Sequence, residues 1–600
     1  MQPSMHPTLL MDPPAASVGA TATLTPETGL LLPPLPDVAS RPNCNPLYSV
    51  FTPSAYLHHS PSPFRPAAWA ALLAEYPGEL PSLIDGILRC GARIGYTGPP
   101  QLILSKNLAS ALDDPNLIAK KISEELEAGL IRPVTPSKPF ICSPLGLVPK
   151  GDGGWRRIHH LSFPDDSSVN AFIPREFGTL TYVTFDEIIS NVVAAGRCSI
   201  IIKRDIKDAF RNIPVAISDQ WLLGFYWNDT YYCERALSFG LRTAPMLFNL
   251  FAEAFHWILL RVLRYPRLNH YLDDFIFVLS QQEAASQQQL ITGYRLLTDF
   301  LGIPRKDSKD TCGTIATVLG IEVDTVKMEA RLPSEKITKV LKHTHEALKK
   351  GTMNRHEAES LAGLLSFCAR VVRLGRTFTQ SLFLFIAKHP GYYRQAKLNK
   401  ELEADLRWWS ELLPQFNGVR LLDDRNRVSV SLWTDASNEG LGAFYKSSSQ
   451  ESFMDIPEHQ AIAIRANKRL RRKHINIKET IAVLRALERW GPLWASTRLN
   501  IYTDSSTVFT GLSTGSIRSP AMEPLKRILL LAIKHDILIE AAWIPGVENK
   551  LADALSRFDY VTIANLCPHW QSLSRSKSLR ASGVKQTPRI AYTRPSYGTA

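Results

Sequence analysis

Asp205 closes the apolar run 198-CSIIIKRDI, and the adjacent pair Asp273-Asp274 interrupts 268-LNHYLDDFIFVLS between two apolar stretches. Carboxylates crowded beside apolar strands repel one another: two unit charges about 4 Å apart cost roughly 4 kcal/mol at an effective dielectric near 20. A divalent cation reverses that sign. Few, hard oxygen ligands suit Mg²⁺, which keeps waters and substrate phosphates as its other ligands. A pair of such ions is a recurrent device of phosphoryl transfer, one activating the attacking hydroxyl and the other stabilising the leaving oxygen. Taken alone, an Asp-Asp pair reads as an ordinary polar turn, so the surroundings must decide. Four further acids, Asp435 in 433-WTDAS, Glu479 in 475-INIKETIAVL, Asp504 in 501-IYTDSS and Asp553 in 549-NKLADALSR, each read singly as helix caps or solvated strand ends.

The elements around these acids come from apolar periodicity. Residues 69–91 and 115–131 have helical spacing, and 143-SPLGLVPKGDGGWRRIHHL is a hairpin turning at Gly151-Asp152-Gly153-Gly154. A short buried strand follows at 198–206. Pro245 opens a long apolar helix. Asp273-Asp274 lies at a strand–turn–strand, 282–302 is helical, and 316-ATVLGIEVD is another strand. From about 333 to 420 the pattern is helical and basic. From Val428 the order is strand, helix, strand, helix, strand, helix.

A chain of 600 residues exceeds one core and predicts two or three domains. Its net charge of +13 favours a polyanionic partner, and its 45% apolar content excludes disorder over most of its length. No 18-residue apolar run is present, so no membrane partner is expected. Eight dispersed cysteines without a CxxC pair argue against a disulfide framework or zinc ribbon and for an intracellular setting, cytoplasmic or nuclear.

The ordered segments 203-KRDIKDAF, 237-LSFGLRTAPMLFN, 271-YLDDF and 318-VLGIEV resemble the palm motifs of reverse transcriptases. The resemblance implies an antiparallel palm sheet backed by helices, with fingers from 143–182. It makes Asp205, Asp273 and Asp274 the metal ligands and puts Asp208 and Phe210 beneath the incoming sugar, where a bulky ring blocks a 2′-hydroxyl. Phe239 and Gly240 match the segment beside the templating pair and nucleotide. Lys150 and Arg156 match residues holding the triphosphate; by themselves they are two cations flanking a Gly-rich hairpin. Trp155 between them reads equally as core. Lys306 or Lys309 would protonate pyrophosphate. In 159-HHLS the chain departs from relatives, which carry an acid or asparagine there.

In the C-terminal region, the four acids on their element sequence resemble the type-1 ribonuclease H fold. That implies Asp435, Glu479, Asp504 and Asp553 as ligands of two Mg²⁺ ions that serve hydrolysis of the RNA strand of an RNA–DNA hybrid. Mn²⁺ is the alternative metal at either site. The loop in 543-WIPGVENKLAD is short and lacks the histidine of retroviral relatives, which implies slower turnover. The run 465-RANKRLRRKH, basic at seven of ten positions with His474 counted, reads as a grip on hybrid phosphates, a nuclear localisation signal or a solvated linker.

The fold expected is therefore α+β and multidomain: a right-hand polymerase, a helical thumb/connection and an α/β ribonuclease H-like domain. The boundaries are a disordered Pro-rich leader over 1–60, a helical N-terminal region over 61–135, fingers and palm over 136–330, thumb/connection over 331–425, ribonuclease H over 426–557 and a basic disordered tail over 558–600. Residues 91–112 and 356–376 are similar to the DIRS-type retrotransposons, whose recombinase would be separately encoded. The function implied is RNA-directed DNA synthesis with ribonuclease H activity. Its partners would be an RNA template, a DNA primer, an RNA–DNA hybrid and dNTPs. The competing readings are a decayed or co-opted copy that only binds nucleic acid, and a ribonuclease H with an inert palm. The complete acidic sets weigh against both.

Overall fold

The computed structural model describes residues 61–149, 154–372, 375–416, 427–517 and 520–570, and the two-residue strands at 23–24, 31–32 and 420–421. Apart from the strand pair Thr23–Leu24 and Leu31–Leu32, the leader over 1–60 lies outside the described residues, as do residues 571–600. The chain divides into two compact units, Met1–Leu319 with Val323–Met328, and Gly320–Glu322 with Glu329–Ala600.

The first unit is organised around the helix Ala244–Leu263, which carries Pro245 in its first turn. Pro is tolerated there because the first helical N–H groups have no intrahelical acceptor. By length and composition this helix could cross a membrane. Here it is a core helix, burying Leu247, Phe248, Phe251, Phe255, Ile258 and Leu259. Against it lies a four-stranded antiparallel sheet ordered Leu268–Tyr271, Asp274–Leu279, Ile200–Asp205 and Thr311–Gly313. Residues 275–279 are apolar without alternation because Phe275, Ile276, Phe277, Val278 and Leu279 are all buried. The Phe255 and Phe275 rings meet edge-on at 5.0 Å.

A second sheet is ordered Leu102–Leu104, Phe140–Cys142, Gly224–Trp227, Thr230–Glu234 and Ile131–Val134. The hairpin Leu145–Pro149 and Trp155–His159 pairs antiparallel, Val148 opposite Arg156. Residues 150–153 of its turn, Lys150 among them, lie outside the described residues. The single strand expected at 316–324 is two short ones, Ile315–Val318 and Ile321–Asp324. They are interrupted at Leu319-Gly320, where both residues take positive φ.

In the second unit, helices Ser334–Lys350, Arg355–Cys368, Gln380–Lys388 and Lys400–Phe416 follow one another. Trp409 is fully buried among them and donates its indole N–H to the Phe378 carbonyl at 3.1 Å. The same unit holds a five-stranded sheet ordered Ala461–Arg465, Gly440–Ser447, Ser429–Ala436, Arg498–Thr503 and Leu538–Trp543. The first three strands are antiparallel and the last two run parallel to Ser429–Ala436. Helix Ile475–Trp490 makes the crossover and buries Val483, Leu484 and Leu487. The helical layer touches this α/β layer directly: Lys526 pairs with Asp405, and Thr377 Oγ1 donates to the Gly515 carbonyl at 2.7 Å.

Structure continues past 557, where a tail is expected from the sequence. Asp559 caps the helix Tyr560–Leu566, and Ile563, Cys567 and Trp570 are buried beside Phe444, Ile456 and Leu555. Trp570 donates its indole N–H to the Ile456 carbonyl at 2.7 Å. An apolar cluster this sparse, among polar residues, has no period a sequence window can register.

Candidate active sites

The first carboxylate cluster is assembled by strand register. Asp274 pairs across the sheet with Asp205, and the Ile206 N–H donates to the Asp273 carbonyl at 3.0 Å. Leu272 adopts φ +52, so the tight turn presents Asp273 and Asp274 together at the end of the Asp205 strand. Burial, then the neighbouring Asp274 charge, pushes Asp273 up to about 6. Asp205 is also raised, chiefly by burial. Two lysines offset this crowding: Lys203 Nζ lies 2.8 Å from Asp274, and Lys309 Nζ lies 3.5 Å from Asp205. Of Lys306 and Lys309, Lys309 is therefore the one whose ammonium reaches the cluster. Lys306 contributes its backbone N–H, donated to the Asp205 carbonyl at 3.2 Å.

Of the residues expected near the nucleotide, Phe210 and Arg156 meet at Phe239. Phe210 is half-buried, 5.1 Å from the Phe239 ring and 6.2 Å from Phe248. Arg156 is exposed, with its guanidinium 4.4 Å above Phe239. Asp208 is exposed in the left-handed region at φ +52, and its carbonyl accepts from Arg211 N–H at 2.8 Å. Gly240 has φ +106, and a Cβ there would stand 2.0 Å from the His159 carbonyl oxygen. Only glycine permits that approach. Trp155 is 45% exposed and so does not belong to the core.

In the 159-HHLS departure, His159 is buried, its Nε2 3.0 Å from the Gly224 carbonyl. Burial pulls its pKa down to about 4. Below it is an ion cluster that sequence reasoning missed: Glu234, Glu125, Arg157 and Arg211. Glu234 and Arg211 are 23 residues apart and Glu125 and Arg157 are 32, so no local pattern joins them.

The second cluster combines a strand end, a helix start and a strand-to-helix turn. Asp435 lies in strand Ser429–Ala436, Glu479 in the second turn of helix Ile475–Trp490, and Asp504 just after strand Arg498–Thr503. Each offers a carboxylate oxygen within 4.8 Å of the others. Glu479 Oε1 accepts the Ala436 N–H at 3.2 Å. Glu479 Oε2 and Asp435 Oδ2 are buried without a hydrogen-bond partner. Burial followed by the Asp435 charge raises Glu479 to about 9, and burial raises Asp435 to about 6. Buried, unpaired carboxylate oxygens are costly unless protonated or ligating, so this donor set fits a hard divalent cation.

Asp553 stands at the rim, on helix Lys550–Arg557, paired with Arg557 at 2.6 Å. Its charge contributes to raising both Asp435 and Glu479. Asn549, buried beside this group, donates to the Thr434 carbonyl at 3.0 Å and was not anticipated. The basic run is exposed at Arg465, Lys468, Arg469, Arg471 and Arg472, with the Arg465 guanidinium 4.5 Å over the Phe558 ring.

Residues 148–321, which contain the first cluster, match the family of reverse transcriptases (RNA-dependent DNA polymerases). The first unit thus carries a reverse transcriptase domain, a class whose members normally use divalent metals. Among solved structures, the chain is similar to the foamy viral protease-reverse transcriptase. With its dRH form in complex with ds DNA the identity is 17%, the coverage 74% of this chain and 72% of that one, and the TM-score 0.44. With the same viral protein in complex with RNA/DNA hybrid the identity is 17%, the coverage 75% and 56%, and the TM-score 0.44.

Proposed function

We propose that this protein is an RNA-directed DNA polymerase that copies retroelement RNA and also cleaves the RNA strand of the resulting hybrid. The observation that carries the polymerase reading is the register of Asp205 against Asp274, with Asp273 beside them, inside the reverse-transcriptase span. Asp205, Asp273 and Asp274 would hold two Mg²⁺ ions, which neutralise triphosphate charge and acidify the primer hydroxyl when bound. The chain's own groups bind and orient: Arg156 offers a guanidinium to phosphate, and Phe210 excludes a 2′-hydroxyl. Lys309 Nζ carries a proton for the leaving pyrophosphate oxygen.

For hybrid cleavage, the supporting observation is the Asp435–Glu479–Asp504 group with its two unpartnered buried oxygens. The mixed five-stranded sheet that carries Asp435, with helix Ile475–Trp490 crossing to its parallel strands, supports reading this region as ribonuclease H-like. These three acids and Asp553 would hold the ions that activate water against the RNA phosphodiester. Arg557, paired with Asp553, fixes that fourth carboxylate at the rim. The element is read as DIRS-type, acting inside the cell alongside a separately encoded recombinase.

The experiment is primer extension on poly(rA)/oligo(dT), run with cleavage of a labelled RNA–DNA hybrid, using the full chain and Mg²⁺. Metal-dependent dNTP incorporation and endonucleolytic RNA cleavage are the expected results. Failure of extension by folded protein that still binds primer–template would remove the polymerase reading. Intact hybrid after full extension would remove the nuclease reading alone.

A further inference from the structure

Arg156 and Phe210 approach the same aromatic ring, Phe239, from two different elements. Arg156 comes from strand Trp155–His159 and Phe210 from the short 3₁₀ turn Ala209–Asn212. Neither element pairs with the other in a sheet. What joins them lies one residue further along each: Arg157 and Arg211.

Because strand side chains alternate between faces, Arg156 on the outside requires Arg157 to point inward. There Arg157 Nη2 meets Glu234 Oε1 at 2.8 Å, and Arg211 Nη1 meets Glu234 Oε2 at 2.6 Å. Each carboxylate oxygen of Glu234 thus takes one arginine. Glu125, on helix Pro115–Glu127, pairs with Arg157 and lies 3.3 Å from Arg211 through the same Oε2. Glu234 is 0% exposed, and two glutamates against two arginines leave the cluster neutral. His159 Nδ1, 3.9 Å from Glu234, adds no charge because burial keeps its pKa near 4.

A buried ion cluster is weak evidence for stability, because desolvation cancels most of the Coulomb gain. Its distinctive property is geometric: planar guanidiniums held by oxygens fix direction as well as distance. We propose that Glu234 is a positioning residue for nucleotide selection, holding Arg157 and Arg211 so that Arg156 and Phe210 keep their spacing across Phe239. This rests on the polymerase reading above, in which Arg156 and Phe210 face the incoming nucleotide. Neither Glu234 nor its arginines touch substrate in this arrangement; the effect passes through the adjacent residues.

The test compares kcat/KM for a dNTP and the matching rNTP in full-length protein on one primer–template. Glu234→Gln keeps the side-chain shape and removes its charge. The dNTP KM should rise, kcat should stay within about twofold, and the dNTP-over-rNTP ratio should fall about tenfold, the scale of a group displaced by a fraction of an ångström. The double variant Glu234→Gln/Arg211→Gln restores neutrality. It should recover the melting temperature and leave the ratio low, because the Arg211 tether is still missing. Recovery of the ratio together with stability would reduce the cluster to a structural role and overturn the proposal.

Should Glu234→Gln not fold, Glu125→Gln at the partly exposed end of the cluster carries the same expectation at about threefold. An unchanged ratio in either folded single variant also overturns it. Phe210→Val in parallel separates the two readings. If it alters the ratio and the glutamate variants do not, the gate stands and the positioning role falls. If Phe210→Val leaves the ratio unchanged, the gate reading has failed first.

Discussion

The two carboxylate clusters hold the same kind of donor and tolerate it differently. In the first cluster, Asp205 and Asp274 each have a lysine ammonium close by, Lys309 and Lys203. Among the described residues of the second cluster, Asp435 and Glu479 have no such ion pair, and only the rim acid Asp553 has a cation, Arg557. Burial is the first cause of the shifts in both: Asp273 and Asp435 alike rise to about 6, and Glu479, beside Asp435, Asp504 and Asp553, reaches about 9. Fixed ammonium groups offset carboxylate repulsion without a metal and compete with one that binds. A site without them must be protonated or filled. Metal and folding stability should therefore be linked more tightly in the second unit than in the first.

The largest effect that sharpens this contrast is loss of chemistry at one site only. Asp273→Asn should lower primer extension by about 10³-fold or more, the scale of removing a group that acts in the transition state. Hybrid binding and RNA cleavage should persist, because phosphate contacts and the second ion site lie elsewhere. Full-rate extension by this variant would end the palm assignment. Asp435→Asn should do the reverse, abolishing hybrid cleavage while dNTP incorporation stays within about twofold. Simultaneous loss of both activities in a cooperatively folded variant would show that the two clusters do not act independently.

A smaller effect concerns discrimination. As a steric gate, Phe210→Val should leave dNTP use nearly intact and lower the dNTP-over-rNTP ratio of kcat/KM by about tenfold or more. As a core aromatic it would instead lose stability, roughly 3–5 kcal/mol on truncation to Ala, and both nucleotides would suffer alike. Its half-buried position between Phe239 and Phe248 is compatible with contact on one face and packing on the other.

The smallest effect tests the linkage directly. A carboxyl group with a raised folded pKa holds its proton to higher pH than in the unfolded chain. Its stabilising contribution is complete below the unfolded value of about 4 and is lost as pH rises through the folded value. For Glu479 that loss extends up to about pH 9. In EDTA, Glu479→Gln and the unsubstituted protein should melt together near pH 5, and the variant should melt about 3 °C or more higher by pH 9. Mg²⁺ should close or invert the gap by stabilising only the protein that retains its ligand. A gap independent of pH would mean that Glu479 is not held neutral by its surroundings.

The acids of both clusters were legible because their positions are local facts. An aspartate ending an apolar strand, two at a turn inside an apolar hairpin, and a glutamate starting an amphipathic helix are each visible within a ten-residue window. The order of those windows also carried the expectation of a palm followed by an α/β layer. Choosing Lys309 over Lys306 required the 3₁₀ turn Asp307–Lys309, which decides which ammonium faces Asp205. Trp155 became an exposed residue only once its strand was paired and its side assigned.

Sequence by itself determined the residue types that can hold a cation and the elements that carry them, because strand and helix periods are written in neighbouring residues. Tertiary structure alone decided which charges neutralise one another. Glu234 finds Arg157 77 residues away, Lys526 finds Asp405 121 away, and Trp570 closes the second core on Ile456 114 away. A buried ion pair or an indole hydrogen bond is satisfied by whichever partner the fold delivers, and sequence spacing holds no record of that delivery.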